Sequence, residues 1–144
     1  MNSVNSLPGF EIRALDQAGL DAFEPAPLSE EDWIDVRDSW RVPGHAESMR
    51  FAVMWNFRGK DIVATGVNEL GLMWALISMH LKRNHTLYRF GRKWMRHLRR
   101  ELGHPVFSRC WTEESQRFDR VLGFKPLFNE VWVFGLRDDW EETL

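Results

Sequence analysis

The sequence predicts a mixed α/β fold, in which a mainly antiparallel sheet of roughly six to seven strands is combined with about four helices. Two kinds of pattern predict it. Apolar and polar residues alternate in several short segments, which is typical of half-buried strands. The long segment from Leu87 to Leu102 instead repeats its apolar residues every three or four positions, which is typical of a helix with one buried face.

The length and composition of the chain are those of one globular domain. It has 144 residues, of which 44% are hydrophobic and 28% are charged, and this is enough apolar material for a single core. We therefore expect one domain over residues 1–144, with residues 1–9 as a flexible leader. No apolar run approaches the roughly twenty residues of a membrane helix, and the N-terminus does not resemble a signal peptide. The single cysteine, Cys110, favours a reducing, cytoplasmic location.

The N-terminal half is predicted to contain one strand, two helices and three further strands. Alternation over 10–14 predicts the first strand, and Asp16 is expected to cap a short helix. Ser29 opens a capping-box-like start for the second helix. From Met49 onward the alternation predicts three consecutive antiparallel strands. The last of them, Gly71–Met79, is apolar almost throughout and is predicted to be a central strand buried on both faces.

The C-terminal half is predicted to contain the long helix, a strand, a second helix and a final strand pair. Gly103 is expected to end the long helix. A strand over 106–111 follows, and Thr112 is expected to cap the next helix, which ends at Gly123. Apolar residues on either side of Asn129-Glu130 predict the final hairpin.

The long helix also concentrates positive charge. Eight of the nineteen Lys and Arg residues lie between Lys82 and Arg100, whereas the formal net charge of the chain is −2. Trp94 lies at the centre of the apolar stripe of this helix and is expected to be buried. Nucleic-acid binding would rest on the charge of this one segment alone, so nucleic acid is not expected as a partner.

The order of the predicted elements resembles the GNAT superfamily of N-acetyltransferases over nearly the whole chain. The segment Thr112–Phe124, which follows a strand and ends in Leu-Gly-Phe, is similar to the fourth helix of that superfamily. The resemblance implies a GNAT-like sheet with helices packed on both faces.

A narrower resemblance is to a small phage family with a GNAT-like fold, typified by the internal virion protein of autographivirus-type short-tailed phages. It is carried by Ile12-Arg13, by Tyr88–Lys93 and by Arg117-Phe118. This resemblance implies a location in the cytoplasm of a host cell or in the virion.

The superfamily resemblance implies acetyl-CoA as a cofactor, with its pyrophosphate at the start of the long helix. The superfamily loop Gln/Arg-x-x-Gly-x-Gly/Ala corresponds to Thr86, Arg89 and Gly91, so only the last glycine is kept. Arg89 could crowd a phosphate or bind it directly. Gly91 could equally serve close packing of the helix, and the Lys and Arg residues between Lys82 and Arg100 could form a solvated helix face. The residues that the resemblance implies for coenzyme binding are Met79, Leu81, Arg89, Phe90, Gly91 and Arg92.

The sequence does not contain the usual residues for acetyl transfer. The superfamily frequently places an acidic tyrosine four residues before the helix-ending glycine, and that position is Asp119 here. We expect Asp119 to be a surface carboxylate paired with Arg120 or solvent, and it could act as an acid only if its pKa were raised. Glu69 and His80 are the candidates for a general base. Cys110 is expected to be a core residue rather than a nucleophile.

Two functions stay open from the sequence. One is an acetyl-CoA-dependent N-acetyltransferase that acts on an unknown amine. The other is a non-catalytic virion or host-interaction protein, which uses the same fold as a scaffold for a phage or host protein. The four histidines after residue 79 form no recognised metal spacing with Cys110, so no metal is expected.

Overall fold

The computed structural model describes residues 9–82, 85–110 and 112–137. Contacts divide these residues into two compact units. The N-terminal unit comprises residues 9–69 and 74–82, and the C-terminal unit comprises residues 70–73, 85–110 and 112–137. The single domain therefore stays a prediction, and nearly all of the predicted leader lies outside the described residues.

The described residues form seven strands and four α-helices. The strands are β1 (Phe10–Ala14), β2 (Met49–Phe57), β3 (Lys60–Asn68), β4 (Leu72–Ile77), β5 (Val106–Arg109), β6 (Lys125–Phe128) and β7 (Val131–Phe134). The helices are α1 (Gln17–Ala22), α2 (Glu30–Trp40), α3 (His85–Leu102) and α4 (Glu113–Leu122). The strand order is β1-β2-β3-β4-β5-β7-β6. The β4–β5 ladder is parallel and the β1–β2, β2–β3, β5–β7 and β6–β7 ladders are antiparallel, so the predicted mixed, mainly antiparallel fold is confirmed.

The N-terminal unit buries its core between strands and the first two helices. Asp16 caps α1 as predicted, because its carboxylate accepts a hydrogen bond from the Gly19 N–H at 2.7 Å. Trp33 of α2 donates from its indole nitrogen to the Leu20 carbonyl at 2.8 Å, which ties α2 to α1. The buried residues of this core are Leu15, Leu20, Phe23, Met54, Ala64 and Leu76.

The start of α2 differs from the prediction. Ser29 makes no side-chain capping hydrogen bond. Its hydroxyl oxygen instead accepts a hydrogen bond from the backbone N–H of Ile77 at 3.2 Å. The predicted capping box is therefore wrong, because the hydroxyl is committed to the end of β4. The acidic first turn Glu30–Asp32 still stabilises the positive end of the helix dipole.

β4 is shorter and less buried than its apolar sequence predicts. It covers Leu72–Ile77, with Leu72 exposed, and Met79 beyond its end is 61% exposed. An apolar run predicts that a segment as a whole is buried, but it does not show which residues near its ends are exposed. The prediction that Gly71–Met79 is buried on both faces is therefore wrong at both ends of the segment.

The C-terminal unit is built around α3. The predicted apolar stripe is confirmed, since Leu87, Phe90, Trp94, Leu98 and Leu102 are all buried. The helix is followed by Gly103, whose φ of 76° lies in the left-handed region that favours glycine. Arg99 of α3 donates from Nε to the Gly135 carbonyl at 2.9 Å, so one of the basic residues of this helix holds the chain beyond β7.

α4 begins and ends at the predicted residues. The Thr112 hydroxyl accepts from the Ser115 N–H at 3.1 Å, and the Ser115 hydroxyl accepts from the Thr112 N–H at 3.2 Å. These two bonds form a capping box, which satisfies otherwise unpaired donors. Gly123 ends the helix with a φ of 100°.

β6 is the outermost strand at its end of the strand order, and all four of its residues are exposed. Pro126 lies opposite Trp132, and the register shifts between Pro126 and Phe128. Cys110 donates its N–H to the Glu130 carbonyl, so the backbone groups of Glu130 point toward β5. The backbone groups of every second residue in a strand point to the same side, so those of Trp132 also point toward β5. The nitrogen of Pro126 therefore faces away from β7.

Candidate functional site

The residues predicted to bind a coenzyme fall on two segments. Met79 and Leu81 follow β4 in the N-terminal unit, whereas the other predicted residues, Arg89–Arg92, lie in the first half of α3 in the C-terminal unit. Each segment offers different chemistry to a ligand.

The four residues in α3 differ in how they can meet a ligand. Arg89 is exposed, whereas Phe90 and Gly91 are buried. Phe90 is 0% exposed and belongs to the core, so it offers no surface to a ligand. Arg92 is half-buried and donates from Nε to the Val121 carbonyl at 2.8 Å. It thereby satisfies a carbonyl in the last turn of α4, which is a structural task.

One face of α3 is crowded with positive charge. Arg92, Arg96 and Arg100 follow each other at four-residue spacing, which places them on the same side of the helix. Burial lowers the pKa of Arg96, and the charges of Arg100 and Arg92 lower it further. Like charges at this spacing repel each other, so an anion near this face would relieve the repulsion.

A cavity of about 210 Å³ lies beside this helix in the C-terminal unit, lined by Tyr88, Arg117, Phe118, Arg120 and Val121. The Arg120 guanidinium carbon lies 5.3 Å from the centre of the Trp132 ring, and Arg117 is 3.5 Å from the carboxylate of Glu113 at the surface. Two cations and two aromatic rings suit an anionic ligand with a planar group. Cavities that enclose a drug-sized ligand start at about 300 Å³, so this cavity fits part of a coenzyme.

The position of the superfamily's tyrosine holds a buried carboxyl group. Asp119 is 4% exposed, and its Oδ2 accepts a hydrogen bond from Sγ of Cys110 at 2.7 Å. The expectation of a surface carboxylate is therefore wrong, because α4 turns this residue toward the chain that leaves β5. Burial raises the pKa of Asp119, although hydrogen bonds from Cys110 and Ser108 oppose the rise.

The partner of Asp119 is an unreactive thiol. Cys110 is buried, which confirms that it is a core residue. Burial, together with the hydrogen bond and the charge of Asp119, raises the pKa of Cys110 to about 12. A thiol with this pKa keeps its proton near neutral pH and is a poor nucleophile.

The two candidate bases lie at opposite ends of β4 and are not brought together. Glu69 is exposed before the strand, and His80 follows its end. The six residues of β4 span about 20 Å at the usual rise of a strand. Nε2 of His80 is 3.1 Å from Oε1 of Glu24, which is the distance of an ion pair without the angle of a hydrogen bond.

The Glu24–His80 contact gives the imidazole a carboxylate neighbour that the sequence does not reveal, because the two residues are far apart along the chain. The backbone of His80 is also held, since its N–H donates to the Ser78 hydroxyl at 3.0 Å. Of the two candidates, His80 is therefore the one for which the structure gives a carboxylate beside the side chain.

The backbone amides of the predicted coenzyme residues after β4 are already engaged. Met79 donates its N–H to the Glu24 carbonyl at 2.9 Å, and Leu81 donates its N–H to the Ser78 carbonyl at 3.1 Å. A ligand can reach the exposed side chain of Met79 as the structure stands. It can use the Met79 amide only after the bond to Glu24 breaks.

Within residues 9–82, 85–110 and 112–137, no group of three or more His, Cys, Asp or Glu side chains is placed to hold a metal ion. In the same part of the chain, no helix has the length and apolar character needed to cross a membrane.

The solved structures that resemble this chain include the toxin AtaT and a probable acetyltransferase. AtaT complexed with acetyl-methionyl-tRNAfMet has a TM-score of 0.58 and 14% identity, over 87% of this chain and 94% of that one. A mutant AtaT toxin bound to the C-terminus of the antitoxin AtaR and acetyl-CoA has a TM-score of 0.56 and 13% identity, over 87% and 92%. A probable acetyltransferase has a TM-score of 0.57 and 12% identity, over 92% and 96%.

The assignment of the fold rests on these similarities to solved structures. No protein-family model matches the chain, and no curated protein matches its sequence. Identities of 12 to 14% show shared architecture and leave activity to be argued from the site. The chain has the GNAT-like fold of these solved structures.

Proposed function

We propose that this chain binds acetyl-CoA and transfers its acetyl group to an amine. The cavity between α3 and α4 carries the proposal. It offers the guanidinium groups of Arg117 and Arg120 beside the rings of Tyr88 and Phe118, on the fold that an acetyl-CoA complex of AtaT also has. A coenzyme with phosphates and an adenine ring presents the matching combination of anions and a planar group.

The first half of α3 fits a phosphate through charge rather than through close backbone approach. Arg89 stands where the superfamily has a glycine, and it is exposed. A guanidinium at this position can bind a phosphate with two hydrogen bonds. The positive face formed by Arg92, Arg96 and Arg100 adds to the local attraction for an anion.

When bound, acetyl-CoA would supply an activated thioester, and the chain would have to manage two protons. An acceptor amine must lose a proton before it can attack a carbonyl carbon, and His80 beside Glu24 is the base that we propose. The departing thiolate of coenzyme A would take up the second proton from solvent, since Asp119 is buried and does not line the cavity.

A non-catalytic scaffold is the second candidate, and the engaged amide of Met79 is the observation that favours it. This alternative includes the resemblance to the phage virion protein, with a phage or host protein as the partner and the host cytoplasm or the virion as the location. None of the solved structures named above is described as a phage protein. The tRNA and the antitoxin belong to AtaT, and the acceptor amine here is unidentified.

Titration calorimetry with acetyl-CoA tests the proposal. Replacing Arg117 and Arg120 together by alanine should weaken binding at least about tenfold, since a hydrogen bond to a charged group contributes about 1.5 to 3 kcal/mol. Lys125→Ala is the matched control, because it removes an exposed charge from β6 in the same unit. Release of free coenzyme A thiol in the presence of amines then separates an enzyme from a scaffold. Equal affinities of the wild type and the double variant would contradict the proposed site.

A further inference from the structure

The basic side chains of α3 gather on one side of the helix. At about 100° per residue, all the Lys and Arg residues of α3 fall within an arc of about 120°, and they are Arg89, Arg92, Lys93, Arg96, Arg99 and Arg100. Glu101 is the only Asp or Glu in the sequence of α3, and it lies about 180° from Arg92, on another side of the helix. We call the surface formed by Arg92, Arg96 and Arg100 the arginine face.

Two hydrogen bonds fix the surroundings of the arginine face. Arg92 donates to the Val121 carbonyl at 2.8 Å, at the end of α4, and Arg99 donates to the Gly135 carbonyl at 2.9 Å, just beyond β7. Carbonyl oxygens carry no net charge, so these two bonds do not neutralise the face. The pKa of Arg96 is lowered by burial and by the charges of its like-charged neighbours, which shows that the arginines repel each other.

The chain carries charge of the opposite sign directly after the C-terminal unit's last described residue. The described residues of this unit contain eleven Lys and Arg residues against five Asp and Glu residues, so their formal charge is +6. Residues 138–142 contain four Asp and Glu residues and neither Lys nor Arg. We call residues 138–142 the acidic segment. It lies outside the described residues, so its place is inferred from charge and reach.

The acidic segment begins within reach of the arginine face. Gly135 is held by Arg99, and Asp138 follows three residues later, which an extended chain can place up to about 10 Å away. Arg96 and Arg92 lie about 4.5 Å and about 10.5 Å from Arg99 along the helix axis. The carboxylates of the acidic segment can therefore reach the whole face while the bond between Arg99 and Gly135 stays in place.

We propose that the arginine face is the docking surface for the chain's own acidic segment. Carboxylates that bind the guanidinium groups relieve the repulsion between arginines at four-residue spacing. The docked segment competes with other polyanions for this side of α3. Docking weakens as salt rises, because the Debye length falls from about 10 Å at 0.1 M to about 3 Å at 1 M. The inference does not depend on the binding of acetyl-CoA.

A charge-reversal cycle in the full chain is the first test. Asp138→Lys/Asp139→Lys and Arg96→Glu/Arg100→Glu should each lower the urea unfolding midpoint, because each variant sets like charges against each other. The combined variant restores opposite charges, so its equilibrium constant for unfolding should be at least about threefold smaller than the two separate effects predict. The cost of replacing the half-buried Arg96 cancels in this comparison. Zero coupling between the two pairs would overturn the proposal.

Competition with inorganic triphosphate, measured by titration calorimetry at 0.1 M salt, is the second test. The segment variant replaces the four carboxylates of the acidic segment by amides: Asp138→Asn/Asp139→Asn/Glu141→Gln/Glu142→Gln. It should bind triphosphate at least about tenfold more tightly than the wild type, because the face is no longer covered.

The control variant makes the same change in net charge outside the C-terminal unit. It replaces four exposed carboxylates of the N-terminal unit by amides: Glu11→Gln/Asp35→Asn/Glu47→Gln/Glu69→Gln. Its affinity for triphosphate should stay within about threefold of the wild type, because the face keeps its cover. Equal affinities of the segment variant and the control variant would overturn the proposal, since net charge alone would then explain the binding.

The two tests together separate the possible occupants of the arginine face. Coupling in the cycle, with tighter triphosphate binding by the segment variant alone, supports the docked segment. Zero coupling with tight binding of triphosphate by the wild type overturns the proposal and assigns the face to an external polyanion. Zero coupling without triphosphate binding by any form also overturns it and leaves the face to solvent. Neither test contains acetyl-CoA, so failure of the proposed function would not change these outcomes.

Discussion

Replacing Trp94 by alanine is expected to lower the free energy of unfolding by about 4 kcal/mol. Trp94 is 1% exposed and lies in the apolar stripe between Phe90 and Leu98. Losing a buried indole removes roughly 150 to 200 Å² of buried apolar area, or about 4 to 5 kcal/mol at about 25 cal/mol per Å². Measured truncations of buried aromatic residues cost about 3 to 5 kcal/mol, which agrees.

Thermal and urea unfolding measure this loss. At about 2.1 cal/mol/K of unfolding entropy per residue, 4 kcal/mol corresponds to a fall in melting temperature of about 13 °C for 144 residues. Phe128→Ala is the matched control, because its ring is 60% exposed and its removal should change stability by less than about 0.5 kcal/mol. A melting temperature of Trp94→Ala that falls no further than that of the control would refute the reasoning from burial.

Three further changes test other parts of the molecule. Gly66→Ala should destabilise by about 1 to 3 kcal/mol in urea unfolding, because the new Cβ would lie 2.5 Å from the Trp74 ring; wild-type stability would show that the ring has room to move. Arg92→Ala should lower both the melting temperature and the affinity for acetyl-CoA, because Arg92 also bonds to α4, whereas Arg89→Ala should lower the affinity alone, because Arg89 is exposed. Thermal unfolding and titration calorimetry of the two variants separate these effects. Equal melting temperatures of the two variants would contradict a stabilising role of the bond from Arg92 to α4. Burial raises the pKa of Asp119 above its value in the unfolded chain, so this group stabilises the fold fully below the unfolded pKa, and that stabilisation is lost as pH rises through the folded pKa. Asp119→Asn should reduce this loss, which urea unfolding midpoints from about pH 3 to 8 would measure. Wild-type and variant midpoints that change in parallel with pH would contradict the prediction.

The sequence predicts an element well where its signal is local. Thr112 and Gly123 begin and end α4 as expected, because the groups that satisfy them lie within a few residues. Ser29 carries the same kind of local signal and fails as a cap, because its hydroxyl is taken by Ile77, 48 residues away. A contact at that distance along the chain leaves no trace in a capping pattern.

At the candidate site, too, local signals predict the structure well and contacts between distant residues are missed. Helical periodicity predicts that Trp94 is buried and that the arginines lie off its stripe, since one helix determines both. Asp119 also lies on a helix, yet its burial depends on which side of α4 meets Cys110. The position of Asp119 could be predicted by counting back from Gly123, but its environment required the packing of two elements.

The proline of the outermost strand affects how copies of the chain can meet at high concentration. Pro126 has no hydrogen to donate from the side of β6 that faces away from β7, and the register shift beside it breaks the even spacing of donors and acceptors. A strand from another molecule that paired with this edge would lack the backbone N–H donor of Pro126, and its next hydrogen-bonding partners on β6 would be displaced by the register shift. This edge can therefore expose Phe128 without serving as a template for sheet growth between molecules.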